Sequence, residues 1–171
     1  DITVPEVLKS AGYATGMFGK WGLGLGDQPG LPNDKGFDRF YGYQNQGNAH
    51  SYYPEFLWSD RKKVCFPEHA GFDHLKESKY DSDGNVIPNG MADPTKAKYS
   101  FDLYADESRK FVREHATEPF FMYLPYTIPH GSFIVPNLGP YTNEDFPSTL
   151  HKVWAAMITR MDDEIGRLVS L

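Results

Sequence analysis

Ala11-Gly12-Tyr13-Ala14-Thr15-Gly16-Met17-Phe18-Gly19-Lys20-Trp21-Gly22-Leu23-Gly24 is the stretch that decides how this chain is read. Gly12 stops a short helical pattern, and residues 13–18 read as a strand. The strand delivers Lys20 into a turn that also holds Gly19, Gly22, Gly24 and Gly26. Glycine has no Cβ, so backbone there approaches a ligand closely. An ammonium in such a turn suits an anion, being a compact charge with three donors. A surface lysine in a flexible loop is the competing reading of the same residues. A position just past the C-terminal end of a strand is where ligands of open α/β sheets bind.

Upstream, Thr3-Val4-Pro5-Glu6 forms a capping box with proline in the first turn. Val4, Val7, Leu8 and Ala11 share one helical face, expected to be buried. Downstream, residues 27–36 form a loop, and the aromatic run 36–43 is expected to pack beneath a loop, direct ligand stacking being the alternative. His50 stands in a polar turn, Asn48-Ala49-His50-Ser51-Tyr52-Tyr53-Pro54. The Tyr52-Tyr53 pair suits either a sugar or a structural role.

From about Ser59 to Lys98 the chain turns polar and irregular, as expected of an insertion lying over the domain. Asp83-Gly84 marks a hairpin turn. Asp81, Asp83 and Asn85 imitate the opening of a calcium loop, but Val86 stands where glycine is required and Ala92 where glutamate is required, which excludes an EF-hand.

Ser100 is expected to cap a helix to about Ala116, carrying Leu103, Tyr104, Phe111 and Val112 inward. Residues 119–126 read as a nearly continuous apolar strand, suited to a sheet covered on both faces. His130 follows that strand, in Thr127-Ile128-Pro129-His130-Gly131. Ser148 or Thr149 opens a last helix whose buried stripe is expected to be Trp154, Met157, Ile158, Met161, Ile165, Leu168 and Val169, with Glu164 on the wet face. The adjacent pair Asp162-Asp163 is no metal site, because neighbours on a helix point about 100° apart. Alternating helices and strands make this an α/β chain with a parallel or mixed sheet.

Composition bounds the function. The 171 residues carry a formal net charge of −6, against a nucleic-acid surface, which would show a basic stripe. No apolar run approaches the roughly 20 residues of a membrane helix. The single cysteine, Cys65, excludes an internal disulfide framework. Both ends read as internal to a longer polypeptide, so the chain is expected to be a fragment.

Taken together these landmarks resemble the sulfatase family, in its arylsulfatase-like branch. The resemblance rests on Thr3–Lys9, Ala11–Thr15, Phe18-Gly19-Lys20-Trp21, Gly36–Tyr43, Pro119–Leu124 with Pro129-His130, and Met161–Leu168, all in the family's order. It implies an alkaline-phosphatase-like α/β fold, with a mixed and mostly parallel sheet between helices, and residues 1–171 forming part of one catalytic domain. It also implies hydrolysis of sulfate esters through a formylglycine nucleophile, supported by calcium. The substrate would be a sulfated small molecule or glycan. A phosphodiesterase or phosphonate hydrolase of the same superfamily, or a non-catalytic binder of sulfated glycans, is the alternative. Residue by residue, Lys20 matches a sulfate-contacting lysine and His130 a sulfate or leaving-group contact and general acid. Gly22 departs from the family, where many members have histidine, and His50 is the candidate replacement or a substrate contact. The calcium ligands and the nucleophile would lie outside this chain, which holds no metal site of its own. Cys65-Phe66-Pro67-Glu68-His69 imitates the nucleophile motif but has histidine where arginine is needed. The isolated chain is expected to be inactive, and the family suggests an exported protein.

Overall fold

The computed structural model describes residues 1–171. Its regular elements are α1 (Val4–Ser10), β1 (Ala14–Lys20), β2 (Arg39–Tyr43), β3 (Phe56–Ser59), β4 (Lys62–Cys65), β5 (Lys79–Tyr80), β6 (Val86–Ile87), α2 (Ser100–Glu114), β7 (Phe120–Tyr123) and α3 (Thr149–Val169). Five strands form one sheet in the order β4-β3-β2-β1-β7. β1 lies between two parallel neighbours, paired from Gly16↔Arg39 to Lys20↔Tyr43 and from Ala14↔Phe120 to Met17↔Tyr123. β3 and β4 extend the sheet antiparallel. No helix is long and apolar enough to cross a membrane.

The central strand works because its side chains alternate between two cores. Phe18 enters a cluster of 21 buried residues and meets Phe111 of α2 with ring centroids 5.6 Å apart. Met17, one residue away, joins Phe37, Phe40 and Trp21 on the opposite face. Gly16 makes room for this packing: a Cβ there would stand 3.0 Å from the Phe111 ring. At the start of the strand, Thr15 N donates to the Asp38 carboxylate at 3.0 Å, and Asp38 N donates to Thr15 O at 2.9 Å. Burial acts to raise the Asp38 pKa, yet Lys9 and the Thr15 donors outweigh it and hold the carboxyl below its ordinary value. That tie between β1 and β2 therefore strengthens above the unfolded pKa and is lost as pH falls.

Several expectations are corrected. β1 runs two residues further than expected, so Lys20 is the last residue of the strand. The aromatic run 36–43 is buried as expected, Phe37 meeting Trp21 of the turn after β1 with ring centroids 6.1 Å apart, but its second half is a strand, β2. The polar segment from Ser59 divides. Its first residues complete β3 and form β4, which lengthen the sheet, while the Asp83-Gly84 turn closes the expected hairpin between β5 and β6. Ser100 is the first residue of α2 and fully buried, with Tyr99 at the cap position.

Helix faces differ as well. The Thr3–Glu6 box forms, with Glu6 Oε2 accepting from Thr3 N at 2.7 Å. Yet Val4 and Val7 are exposed, and only Pro5 of α1 is buried. β7 stands at the edge of the sheet, and its residues are partly exposed rather than covered on both faces. On α3 the buried residues are Val153, Ala156, Met157 and Glu164, whereas Trp154, Ile158, Ile165 and Val169 are exposed. The inward face is instead built from Val153, Ala156 and Met157, which join the main core, with charged contacts beside them. Glu164 pairs with Arg109 of α2, and Arg160 grips Asp102 with two hydrogen bonds of 2.5 and 2.7 Å. Burial pushes the Glu164 pKa up against the pull of Arg109.

Candidate active site

Three loops leave the same edge of the sheet, one after each of the adjacent parallel strands β2, β1 and β7. His50, Lys20 and His130 sit on or directly after them. Such an edge, outside the carboxyl ends of parallel strands, is where α/β sheets place ligands.

Lys20 is held by its backbone. Its N–H donates to Pro125 O at 2.9 Å, and Trp21 N donates to Tyr43 O at 2.8 Å, so both flanking strands grip the end of β1. The Trp21 indole then anchors the turn by donating to Gly30 O at 2.9 Å. The Lys20 side chain is partly exposed and makes no ion pair within the chain. A cation held at a fixed backbone position without a carboxylate is free to meet an anion.

His50 ends a short 3₁₀ turn, Asn48–His50, and is exposed. His130 is exposed too, in the turn where its N–H donates to Thr127 O at 3.0 Å. The fold brings these two residues, 80 positions apart in sequence, to a ring-centroid separation of 5.0 Å. Each ring has its Nδ1 on a backbone carbonyl, His50 on Gly47 O at 3.1 Å and His130 on Gly131 O. A carbonyl only accepts, so each Nδ1 carries the hydrogen of its bond, and neither Nε2 has a hydrogen-bond partner within the chain. His69 makes the contrast. It is buried, its Nδ1 meets Pro54 O at 2.7 Å, and its Nε2 accepts from Lys98 N at 2.9 Å. Both nitrogens are used, burial lowers its pKa, and its role is structural.

The place beside Gly22 is filled. A Cβ on Gly22 would stand 2.4 Å from Gln46 Nε2, so the Gln46 carboxamide lies directly on this glycine. Sequence reading did not single out Gln46; only the fold brings the end of β2 over the turn after β1. Tyr52 and Tyr53 are 0% and 3% exposed. The Tyr52-Tyr53 pair is therefore part of the core and not a surface for a sugar. Cys65 is exposed on β4, at the far edge of the sheet from β7. Asp162 and Asp163 are exposed on α3. No group of three or more His, Cys, Asp or Glu side chains is placed to hold a metal ion. A cleft of about 390 Å³ between α2 and α3 is lined by Arg109, Arg160, Asp102 and Glu164, which pair as Arg109 with Glu164 and Arg160 with Asp102.

Comparison with known proteins gives a consistent answer. The family model described as Sulfatase matches residues 2–171. Arylsulfatase J of Mus musculus is 30% identical over 170 residues, covering 96% of this chain and 25% of that protein. N-acetylgalactosamine-6-sulfatase of Rattus norvegicus is 28% identical, covering 98% of this chain and 28% of that protein. The solved structure of Ps i-CgsB in complex with k-i-k-neocarrahexaose superposes with a TM-score of 0.64 at 24% identity, over 99% of this chain and 36% of that one. That likeness shows the fold, an alkaline-phosphatase-like α/β arrangement of a mixed sheet flanked by helices. The chain spans little more than a quarter of the curated relatives it matches.

Proposed function

Because the chain belongs to the sulfatase family, we propose that it supplies part of the active site of a hydrolase that cleaves sulfate esters. One observation carries this reading. An unpaired ammonium and two imidazoles with unused Nε2 atoms stand on the same edge of three adjacent parallel strands. Cleaving a sulfate ester concentrates charge on the sulfate oxygens and on the departing oxygen, and a preorganised cation and an acid stabilise both. Lys20 takes the sulfate oxygens. His130 delivers a proton from Nε2 to the leaving oxygen. His50, beside it, contacts the substrate or helps position the nucleophile, with the Gln46 carboxamide filling the space over Gly22.

The family's calcium and formylglycine do not fit onto this chain's own residues. No metal-ligating cluster is present, and Cys65 lies on the far edge of the sheet. In this reading both are supplied by other parts of the polypeptide. The substrate we favour is a sulfated glycan, in keeping with relatives named for sulfated amino sugars, and export is the setting the family suggests.

The test is sulfate release by the full-length protein from 4-nitrophenyl sulfate and from a sulfated hexosamine, compared with phosphate release from bis(4-nitrophenyl) phosphate. Faster sulfate release is expected, and the isolated 171-residue chain should turn over neither. A preference for the phosphate diester would replace the reading with phosphoryl transfer. In the same assay His50→Ala should lower kcat/KM about tenfold or more; an unchanged value removes His50 from the site.

A further inference from the structure

We infer that Tyr52 is the positioning residue of this site, its hydroxyl setting the turn that carries His130 and with it the spacing of the His50–His130 pair. The inference rests on the reading of His130 as the proton donor. Tyr52 is fully buried, its ring stacked on Tyr99 with centroids 5.4 Å apart. Its hydroxyl lies 2.8 Å from Thr127 O and 2.8 Å from His130 O. A phenol has one proton and carbonyls only accept, so a single O–H is shared by the two carbonyls that bound the His130 turn. Burial pushes the Tyr52 pKa far above its ordinary value, which keeps that oxygen a donor.

The same residue joins two other elements. Tyr52 O accepts from Ser100 N at 2.9 Å, at the first residue of α2. His50 stands two residues before it, and the Tyr43 hydroxyl at the end of β2 donates to the intervening Ser51 O at 2.6 Å. The loop of His50, the start of α2 and the turn of His130 therefore meet at one residue, α2 on its backbone carbonyl and the His130 turn on its hydroxyl. His130 itself is exposed, and its ring has one hydrogen bond, to the Gly131 carbonyl, besides its contact with His50. Its backbone position is thus what fixes where Nε2 points, and the hydroxyl of Tyr52 is what fixes the backbone. A tyrosine that merely filled the core would need no hydroxyl at this point, since phenylalanine has nearly the same shape.

The experiment is Tyr52→Phe in the full-length protein, read on two substrates and by NMR. A sugar sulfate departs as an alkoxide and needs the proton; 4-nitrophenyl sulfate departs as a stabilised phenolate and hardly needs it. Expected is a loss in kcat/KM of about tenfold on the sugar sulfate and less than about twofold on the aryl sulfate, because a displaced acid costs only where a proton is transferred. His130→Ala is the control, and it should show the same leaving-group pattern at least as strongly. The imidazole resonances of His130 should shift in Tyr52→Phe while those of His115, remote on the end of α2, stay in place. Where His130→Ala shows the leaving-group pattern, equal losses on both substrates in Tyr52→Phe, or none, overturn the inference, and unmoved His130 resonances overturn it in every case. If His130→Ala shows no leaving-group dependence while the His130 resonances do shift in Tyr52→Phe, the brace stands as geometry and the assignment of His130 as the acid is what fails.

Discussion

Lys20→Ala in the full-length protein is expected to lower kcat/KM for a sulfate ester by about 10²–10³-fold, the usual loss when one preorganised donor to developing negative charge is removed. The protein should remain folded. The hydrogen bonds that hold this position come from the Lys20 and Trp21 backbone N–H groups, which alanine at position 20 leaves intact. The ammonium is partly exposed and unpaired within the chain, so its removal strands no buried carboxylate. Loss should appear in kcat as well as KM, since the charge on the sulfate oxygens grows toward the transition state. Lys20→Arg should not restore full activity, because a planar fork on a longer stem does not replace a point charge at the same place. Steady-state kinetics with both variants, alongside a thermal melt, make the check. Wild-type turnover by Lys20→Ala would detach this lysine from the chemistry.

Gly42→Ala is expected to prevent stable folding, a loss well above the roughly 1 kcal/mol typical of single substitutions. Gly42 of β2 stands opposite Gly19 of β1 in the register, with φ of +150° and +137° respectively. A Cβ at Gly42 would come to 1.9 Å from Gly19 O, and a Cβ at Gly19 to 2.4 Å from Pro125 O. Neither partner is a flexible side chain that could swing away. Both are backbone of the central parallel strand or of the chain leaving β7, so relief requires separating strands that hold Lys20. The control is Gly139→Ala, where φ is also positive at +56° but nothing lies within 4 Å of the added carbon. That change carries only the conformational cost, on the order of 1 kcal/mol. Denaturant unfolding of the two full-length variants separates close approach from backbone preference. A Gly42→Ala protein as stable as Gly139→Ala would show that the strands part without difficulty.

Local signals were legible. The Thr3–Glu6 box, the stop at Gly12, the turn at Asp83-Gly84 and the start of α3 after Ser148 all formed where the sequence placed them. Each depends on residues within a few positions of one another. The strand β2 is not legible because Phe40, Tyr41, Gly42 and Tyr43 do not alternate in hydrophobicity; both faces of that strand are covered, and burial on both sides erases the period. The α3 stripe was misplaced for the opposite reason. A helix-period pattern does not say which neighbour the helix meets, and here Val153, Ala156 and Met157 enter the core and Glu164 meets Arg109 of α2, while Trp154 and Ile158 lie on the surface.

By itself the sequence determined an α/β chain, its family, and two candidate residues, Lys20 at the end of a strand and His130 after one, because strand ends and glycine turns are written in contiguous residues. Only the tertiary structure decided that β1 lies between β2 and β7, that His50 meets His130 at 5.0 Å, that Gln46 covers Gly22, and that one buried hydroxyl on Tyr52 ties the two histidine loops together. Those are contacts between residues as far apart in sequence as Ala14 and Phe120. They follow from strand order and register, which are set by how the buried faces fit one another rather than by any local pattern.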